Sequence, residues 1–276
     1  MIMEDKTPEY HQLRISVPTE FENVFSHFYY AENTSTEALT KTLLPTYQTI
    51  LLFCFGENAS LTTQEKTTLT VDKCIVFGPI RHAFEYTLPS KTSILVANFK
   101  DDAFYRFFGR ATIENNAVLH PDELLRENCF TDLWQQLAVI PSPEQQVDHI
   151  IEFCRLYLKD QDTTNRLLSS FTDENLNPVK TIAEQTGQSE RNIQLKHKEN
   201  FGYSSKEINR YSRFLKAIKT IEKKIENQDT VEWFSIIDEC GYYDQSQLIH
   251  DFKHFLNISP KQYLKFQQDI CNPRSE

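Results

Sequence analysis

Two short segments of the sequence carry side chains that can hydrogen-bond to the exposed edges of nucleic-acid bases. The amide groups of Gln and Asn pair with adenine through two bonds, and the guanidinium group of Arg pairs with guanine in the same way. The candidate contact residues of the first segment are Arg191, Asn192, Gln194, Leu195, Lys198 and Ser204, and those of the second are Gln245, Ser246, Gln247, His250, Lys253 and Ser259.

The second segment belongs to residues 236–266, where the pattern predicts three helices separated by short turns. Gly241 marks the end of the first helix, because a residue without a Cβ adopts the left-handed C-terminal conformation at little cost. Asp244 stands at an N-cap position, which predicts the next helix over 245–255, and Ser259 with the proline after it starts a third. The apolar residues of the middle helix recur at helical spacing and leave the polar ones outward: Leu248, Phe252 and Phe255.

An earlier stretch, residues 182–208, repeats this unit. Gly187 corresponds to Gly241, and after a slip of one residue Ser189 corresponds to Asp244. A repeat of a whole helix-turn-helix unit is stronger evidence than either copy alone. The pattern of residues 205–227 predicts one long helix between the copies, which would act as a strut. Two outward helices held on such a strut would enter successive major grooves on one face of a duplex, about 34 Å apart.

The two units together resemble the DNA-binding module of AraC/XylS-type transcription regulators, above all in the sequence CGYYDQSQLIHDFKHFLNISPKQY. The resemblance implies double-stranded DNA as a partner, and adds RNA polymerase, a small-molecule effector and a second copy of the chain as further partners; it implies no cofactor. The resembling proteins often carry Arg at the positions of Leu195 and His250. Leu195 would then meet a thymine methyl group, while His250 would donate or accept a hydrogen bond. Ser204 and Ser259 would bind phosphates at helix N-termini.

The region before residue 100 has the pattern of a β-rich domain. Short β-branched and aromatic runs, separated by Pro, Gly, Asn and Asp, predict strands over 24–30, 47–55, 73–77, 83–88 and 92–99. Helices are predicted over 103–109, 121–138 and 143–159, the first capped by Asp101 or Asp102. The last two either form a dimer contact or pack on their own sheet. Aromatic residues of the strands either line an effector pocket or form the core: Phe28, Tyr30, Tyr47, Phe53, Phe84 and Tyr86.

The sequence therefore predicts an α+β fold of two domains. Residues 1–160 form a β-rich, cupin-like or barrel-like domain with a helical pair, for sensing or dimerisation. Residues 161–276 form an all-α domain of two helix-turn-helix units, at about 178–208 and 230–266, joined by the long helix. His197 falls at the inward position that Phe252 has in the second copy, so it is interpreted as a core histidine. We then expect the first unit to be the less stable, and a Phe at 197 to raise the melting temperature.

The charge is unevenly divided along the chain. The 276 residues contain 29 Lys+Arg and 39 Asp+Glu, a net charge of -10. Residues 178–276 carry 15 Lys+Arg and 14 Asp+Glu, which leaves 14 and 25 for residues 1–177. The acidity belongs to the first domain, and the near-neutral second domain predicts weak non-specific affinity for phosphates. No apolar run is long enough to cross a membrane, and the N-terminus has no signal-peptide pattern. We expect a bacterial protein that is located in the cytoplasm.

Two alternatives stay open at this point. The first is an enzyme, but His11, His27, His82 and His120 have no metal-ligand spacing, and the sequence contains no GxSxG, HExxH or Gly-rich phosphate loop. The six cysteines lie apart without a CxxC pair, as buried free thiols do, and none has the basic neighbours of a reactive thiol. The second alternative is a protein-interaction module whose helix-turn-helix units have lost DNA binding. The sequence leaves the effector, the operator, and activation or repression undecided.

Overall fold

The computed structural model describes residues 9–111, 113, 119–171, 176–227, 229–266 and 270–271. The N-terminal residues 1–8, where the sequence has no signal-peptide pattern, lie outside the described residues. Within the described ranges, no helix combines the length and the apolar character that a membrane span needs.

The N-terminal domain is built on two five-stranded sheets, which confirms the predicted β-rich fold, and one edge strand of the second sheet comes from residues 270–271 of the C-terminal region. The five predicted strands are all present, and the additional ones are short or largely polar. The strands are β1 (Tyr10–Ile15), β2 (Phe25–Asn33), β3 (Leu39–Leu43), β4 (Ile50–Phe55), β5 (Ala59–Thr62), β6 (Thr68–Val71), β7 (Cys74–Phe77), β8 (Phe84–Leu88), β9 (Thr92–Phe99) and β10 (Ile270–Cys271). The sheet orders are β1-β2-β9-β4-β7 and β10-β3-β8-β5-β6, and among the strands that the structure describes only the β10–β3 pair is parallel.

The first sheet is buried on both faces, and its side chains alternate between two cores. Leu52 faces the core shared by both sheets, together with Phe84 and Tyr86 of the second sheet. Phe28 and Phe53 face the other way, into a core formed with helices. The aromatic set predicted from the strands is therefore divided between separate places, and it does not line one pocket.

Four helices follow the strands of this domain: α1 (Ala103–Phe108), α2 (Pro121–Leu125), α3 (Cys129–Leu137) and α4 (Pro143–Arg155). The predicted single helix over 121–138 is wrong, because Arg126 has a φ of 60° and ends α2. The carboxylate of Asp122 then accepts hydrogen bonds from the backbone N–H groups of Phe130 (2.7 Å) and Thr131 (3.1 Å). A side chain of α2 thus supplies acceptors for the first N–H groups of α3, so the break is stabilised locally.

Asp102 precedes α1, but it does not cap that helix with its side chain as the sequence suggested. Its carboxylate is fully buried, forms an ion pair with Arg106, and accepts hydrogen bonds from Gln161 (2.9 Å) and Asn165 (2.8 Å). Burial raises the pKa of Asp102. These bonds tie the first domain to the start of the second.

The C-terminal region contains the two predicted helix-turn-helix units and the long helix between them. Its helices are α5 (Thr163–Ser169), α6 (Pro178–Thr186), α7 (Glu190–Phe201), α8 (Ser205–Glu226), α9 (Trp233–Cys240), α10 (Gln245–Leu256) and α11 (Pro260–Phe266). The 22 residues of α8 rise by about 33 Å. The predicted α+β fold class is therefore confirmed, because the first half of the chain is rich in strands and the second half is mainly helical.

An aromatic cluster joins the two halves of the chain. The Tyr47 ring packs against Tyr203 (centroids 5.5 Å apart) and Tyr211 (4.6 Å), and the Tyr211 hydroxyl donates to the carbonyl oxygen of Pro45 over 2.6 Å. Burial raises the pKa of Tyr47 to about 12. Tyr47 is therefore part of a domain contact and not of a pocket inside the sheets.

Candidate nucleic-acid interface

The first unit consists of α6, a tight turn and α7. Gly187 ends α6 with a φ of 67°, and the Ser189 hydroxyl accepts a hydrogen bond from the backbone N–H of Asn192 over 3.2 Å. Both devices agree with the sequence prediction and fix the direction in which α7 leaves the turn. All five predicted contact residues on α7 are exposed: Arg191, Asn192, Gln194, Leu195 and Lys198.

The inward side of the first unit is small and partly polar. Ile193 packs with Val179, Ile182 and Ala183 of α6. His197 is buried, and its Nδ1 lies 2.7 Å from the carbonyl oxygen of Tyr203, while its ring stacks on Phe201. Burial lowers the pKa of His197. The interpretation of His197 as a hydrogen-bonded core residue agrees with this position.

The second unit consists of α9, the turn at Gly241 and α10. Gly241 has a φ of 73°, and the Asp244 carboxylate accepts a hydrogen bond from the backbone N–H of Gln247 over 2.8 Å. Its core is aromatic, since Phe252 and Phe255 contact Phe214 of α8. The exposed predicted residues of α10 are Gln245, Ser246, His250 and Lys253.

Gln247 is less available than the sequence suggested. It is half-buried, and its amide oxygen accepts a hydrogen bond from the backbone N–H of Tyr243 over 2.9 Å. Bidentate pairing with adenine uses both the oxygen and the NH₂ group of a Gln side chain. The oxygen that such pairing needs already accepts one hydrogen bond within the protein.

The two serines that follow the outward helices differ in the partners of their hydroxyl and backbone N–H groups. The Ser204 hydroxyl and backbone N–H both donate to the Glu207 carboxylate, over 2.7 and 2.8 Å. The Ser259 backbone N–H donates to the side-chain oxygen of Gln262 (2.8 Å), and its hydroxyl oxygen accepts from the Gln262 N–H (3.3 Å). A carboxylate at Ser204 opposes a phosphate there, so this arrangement favours Ser259 over Ser204 as a phosphate contact.

Three charged residues that the sequence did not single out connect α8 to α10. Asp251 is 1% exposed, and its carboxylate accepts from Arg210 Nε over 2.7 Å and from Arg213 Nη2 over 3.2 Å. Arg210 also donates through Nη2 to Nδ1 of His250 over 3.0 Å. The available signal was an acid, Asp251, on the otherwise apolar face of α10, and two arginines three residues apart on α8.

These contacts also change the expected role of α8 as a spacer. Arg210, Arg213 and Phe214, which contact α10, lie in the first half of α8, and α7 ends just before α8 begins. The distance between the two outward helices is therefore not the full length of α8. The expected separation of one duplex turn stays a prediction.

One loop of the N-terminal domain, between β7 and β8, touches both units. Arg81 donates to the carbonyl oxygen of Gly202, the residue after α7, and pairs with Glu207 of α8 (Nε to Oε1, 3.7 Å). The next residues contact the end of α10, where the Ala83 N–H donates to the Phe255 carbonyl oxygen over 2.8 Å. The C-terminal ends of both outward helices thus contact a single loop.

In the N-terminal domain, Cys74, His120 and Asp122 lie in a row, as a nucleophile, its base and a carboxylate do in some enzymes. Cys74 Sγ lies 3.3 Å from His120 Nε2, and His120 Nδ1 lies 3.4 Å from an Asp122 oxygen. Burial, and then the Asp122 charge, raises the pKa of Cys74 to about 12, whereas reactive thiols have a lowered pKa. Among the residues that the structure describes, no three His, Cys, Asp or Glu side chains are placed to hold a metal ion.

The second unit matches a known family. Residues 226–265 match the family described as "Bacterial regulatory helix-turn-helix proteins, AraC family". The resemblance noted in the sequence is thereby confirmed for α9, α10 and all but the last residue of α11. This family is one of transcription regulators. No curated protein sequence matches the chain.

Solved structures to which the chain is similar include ToxT from Vibrio cholerae, which is 15% identical over 93% of this chain and 98% of its own, with a TM-score of 0.39. The wild-type ToxT of strain SCE256, with an unsaturated fatty acid bound, is 13% identical over 99% and 100%, with a TM-score of 0.40. An RmlC-like cupin protein from Desulfovibrio desulfuricans is 9% identical over 36% of this chain and 88% of its own, with a TM-score of 0.27. These likenesses are too weak to give any residue of this chain a role.

Proposed function

We propose that this chain is a sequence-specific regulator of transcription that binds double-stranded DNA in the bacterial cytoplasm. One observation carries the proposal: two helix-turn-helix units, each with a Gly turn and a capped second helix, expose polar side chains from α7 and α10. Exposed polar helices after such turns are the elements that enter the major groove in helix-turn-helix proteins. The AraC-family match of the second unit supports the same function.

Within this proposal the two outward helices have different roles. In α7, Arg191 and Gln194 are directed at base edges, Lys198 at phosphates, and Leu195, 53% exposed, at a thymine methyl group. In α10, Gln245, Ser246 and His250 contact base edges, and Lys253 and Ser259 contact the backbone. The few cations on α10 imply that non-specific attraction contributes little to binding.

We further propose that the N-terminal domain controls DNA binding through the loop that contacts both units. A cleft of about 550 Å³ lies beside this contact, lined by Thr42 and Phe84 of the sheets and by Leu256 and Ile258 of the second unit. A ligand that fits this cleft in only one arrangement of the domains would shift the population toward that arrangement. RNA polymerase and a second copy of the chain stay predicted partners. We propose no enzymatic activity.

The proposal is tested by selecting duplexes from a randomised library with the full chain and measuring affinity for the selected site by fluorescence anisotropy. Arg191→Ala is expected to weaken binding by about 1–3 kcal/mol, because a paired base edge loses its partner. Lys159→Ala, which removes an exposed charge from outside both units, is the matched control and is expected to bind as the wild type does.

The alternative, an interaction module without DNA binding, predicts a different result. In that case the wild-type chain enriches no sequence from the library, and Arg191→Ala and Lys159→Ala are indistinguishable. The alternative is excluded if the wild type enriches one site and, of the two variants, only Arg191→Ala binds that site more weakly.

A further inference from the structure

His250 is exposed on α10, yet one of its ring nitrogens is already used within the protein. Nδ1 accepts a hydrogen bond from Nη2 of Arg210, a residue of α8, over 3.0 Å. Among the described residues, the other ring nitrogen, Nε2, has no hydrogen-bond partner. His250 is therefore held from one side and open on the other.

The Arg210 guanidinium is itself fixed in place. Its Nε donates to the buried Asp251 carboxylate over 2.7 Å, and its centre lies 5.4 Å from the centroid of the Phe255 ring. Asp251 receives a second bond, from Arg213 over 3.2 Å. A buried carboxylate requires such partners, so the pairing keeps the planar guanidinium in one orientation against α10.

This orientation determines which nitrogen of His250 carries the ring proton. A guanidinium group has five N–H donors and no acceptor, so the nitrogen facing Arg210 must be the acceptor. The proton that the two nitrogens share then resides on Nε2. The exposed nitrogen of His250 is a donor and has no lone pair with which to accept a bond.

We propose that Arg210 is a positioning residue that fixes the tautomer of His250, so that the second unit selects a hydrogen-bond acceptor on the base edge that His250 meets. In the major groove, guanine offers N7 and O6, adenine offers N7 and thymine offers O4, whereas cytosine offers only its amino donor. His250 therefore disfavours cytosine at one position of the site and accepts guanine, adenine or thymine there. The inference rests on the proposed function and names the readout of that same surface.

A free histidine at this position would behave differently. With the proton on either nitrogen, the ring could rotate or exchange tautomers and accept a bond from the cytosine amino group. A fixed donor against a donor leaves both groups without a partner, which costs more than a missing bond. The discrimination against cytosine at this position is expected to be about tenfold.

The first test measures the tautomer directly. Long-range ¹H–¹⁵N spectra of the full chain distinguish a protonated from an unprotonated ring nitrogen, and His250→Gln assigns the signal. The wild-type chain is expected to show Nε2–H and a bare Nδ1, and Arg210→Met a mixture of both tautomers. A wild-type ring with its proton on Nδ1, or an unchanged spectrum in Arg210→Met, overturns the inference whether or not DNA is bound. A purely structural role of Arg210 would leave the tautomer unchanged.

The second test repeats the library selection with four forms: wild type, Arg210→Met, His250→Gln and Lys216→Met. The last removes an exposed charge from the same helix and serves as the matched control. Arg210→Met and His250→Gln are expected to tolerate cytosine at one shared position, with discrimination there below about threefold, and to keep the rest of the site. Lys216→Met is expected to select as the wild type does.

The outcomes separate the inference from the function on which it rests. No enrichment by the wild type defeats both. Enrichment of a site in which Arg210→Met retains the wild-type preference at every position defeats the inference alone. An even loss over all positions in Arg210→Met, with His250→Gln unaffected, also defeats it, because the arginine would then only hold α8 to α10.

Discussion

The two helix-turn-helix units share a backbone arrangement and differ in the side chains that form their cores. Both turn at a left-handed glycine, Gly187 or Gly241, and both start the outward helix at a capping side chain. The second unit buries aromatic rings against α8, whereas the first has a small aliphatic core and a buried His197. The AraC-family match covers only the second unit. The two copies thus share their turn and cap residues, while the aromatic core distinguishes the copy that the family match covers.

The units also differ in how their outward faces are supported. On α7, Asn192 donates to Gln188 of the same unit over 2.6 Å. On α10, His250 is held by an arginine from the long helix. The first face is therefore a local product of its own unit, and the second depends on the packing of α8 against α10.

Removing the central ring of the second unit is expected to have the largest effect. Phe252 and Ile193 are both fully buried, in the second and first unit respectively. Phe252→Ala is expected to lower the free energy of unfolding by about 3–5 kcal/mol, because it leaves a large cavity. Ile193→Ala is the matched change in the first unit. Its expected loss of unfolding free energy does not exceed that of Phe252→Ala. Urea denaturation followed by circular dichroism measures both. A greater loss in the Ile193 variant would contradict the comparison of cores.

An Arg at position 195, as the resembling regulators often have, tests the outward face of the first unit. Leu195→Arg places a guanidinium group on the exposed side of α7 and is expected to strengthen binding to DNA by about 1–2 kcal/mol, with guanine newly preferred at one position. Fluorescence anisotropy on the selected site and a repeated selection measure the change. Glu199→Arg, a substitution of another exposed residue of α7, is the control for general charge. Equal gains in both variants would mean that Leu195 does not face a base.

Much of this fold can be predicted from local features of the sequence, whereas the features that depend on packing cannot. The glycine turns, the caps Ser189 and Asp244, and the start of α8 are set by neighbouring residues, so their spacing is sufficient to predict them. The break at Arg126 was missed because the acceptor that stabilises it, Asp122, bonds to residues beyond the break. The Arg210–Asp251–His250 contacts depend on how α8 crosses α10, which periodicity does not specify.

The loop contact with both units was missed for the same reason. Nothing near Arg81 and Ala83 in the sequence indicates that their partners are the carbonyl groups after α7 and at the end of α10. Such contacts arise only when the two domains pack together. The candidate site could thus be predicted as a set of exposed side chains, but not the contacts that orient them.

His197 provides a prediction of intermediate size in which the structure reverses the sequence-based expectation. From the sequence alone, a Phe at this inward position, which Phe252 has in the second copy, is expected to raise the melting temperature. The bond to the Tyr203 carbonyl oxygen means that His197→Phe removes a buried hydrogen bond. We now expect a loss of about 1 kcal/mol in the free energy of unfolding, and no change in the selected DNA site. Thermal denaturation checks the first part. A higher melting temperature would show that ring packing outweighs the bond.

The smallest predicted effect concerns acid and the end of α10. Burial, and then the charges of Arg210 and His82, lowers the pKa of His254 to about 4, from an ordinary value of 6.5. The other ionisable groups that face it are Asp251 and His250. Above pH 6.5 the ring is uncharged whether the domains are packed or unfolded, so it contributes no pH dependence. As the pH falls from there toward about 4, the unfolded chain takes up a proton that the packed ring does not, and stability decreases.

This effect is measured as the fall in the urea midpoint between about pH 7 and about pH 5. His254→Gln is expected to show a smaller fall than the wild type, because it removes one of the groups that titrate. An equal fall in both forms would mean that other groups account for the acid sensitivity and that the packing of His254 does not.

In the proposed complex with DNA, the two units act on one duplex together. Hydroxyl-radical footprinting of the full chain on its selected site tests this directly. We predict two protected patches on the same face of the DNA, about 10 base pairs apart, of which Arg191→Ala weakens one and His250→Ala the other. A single patch that both variants weaken equally, or two patches on opposite faces, would contradict the account.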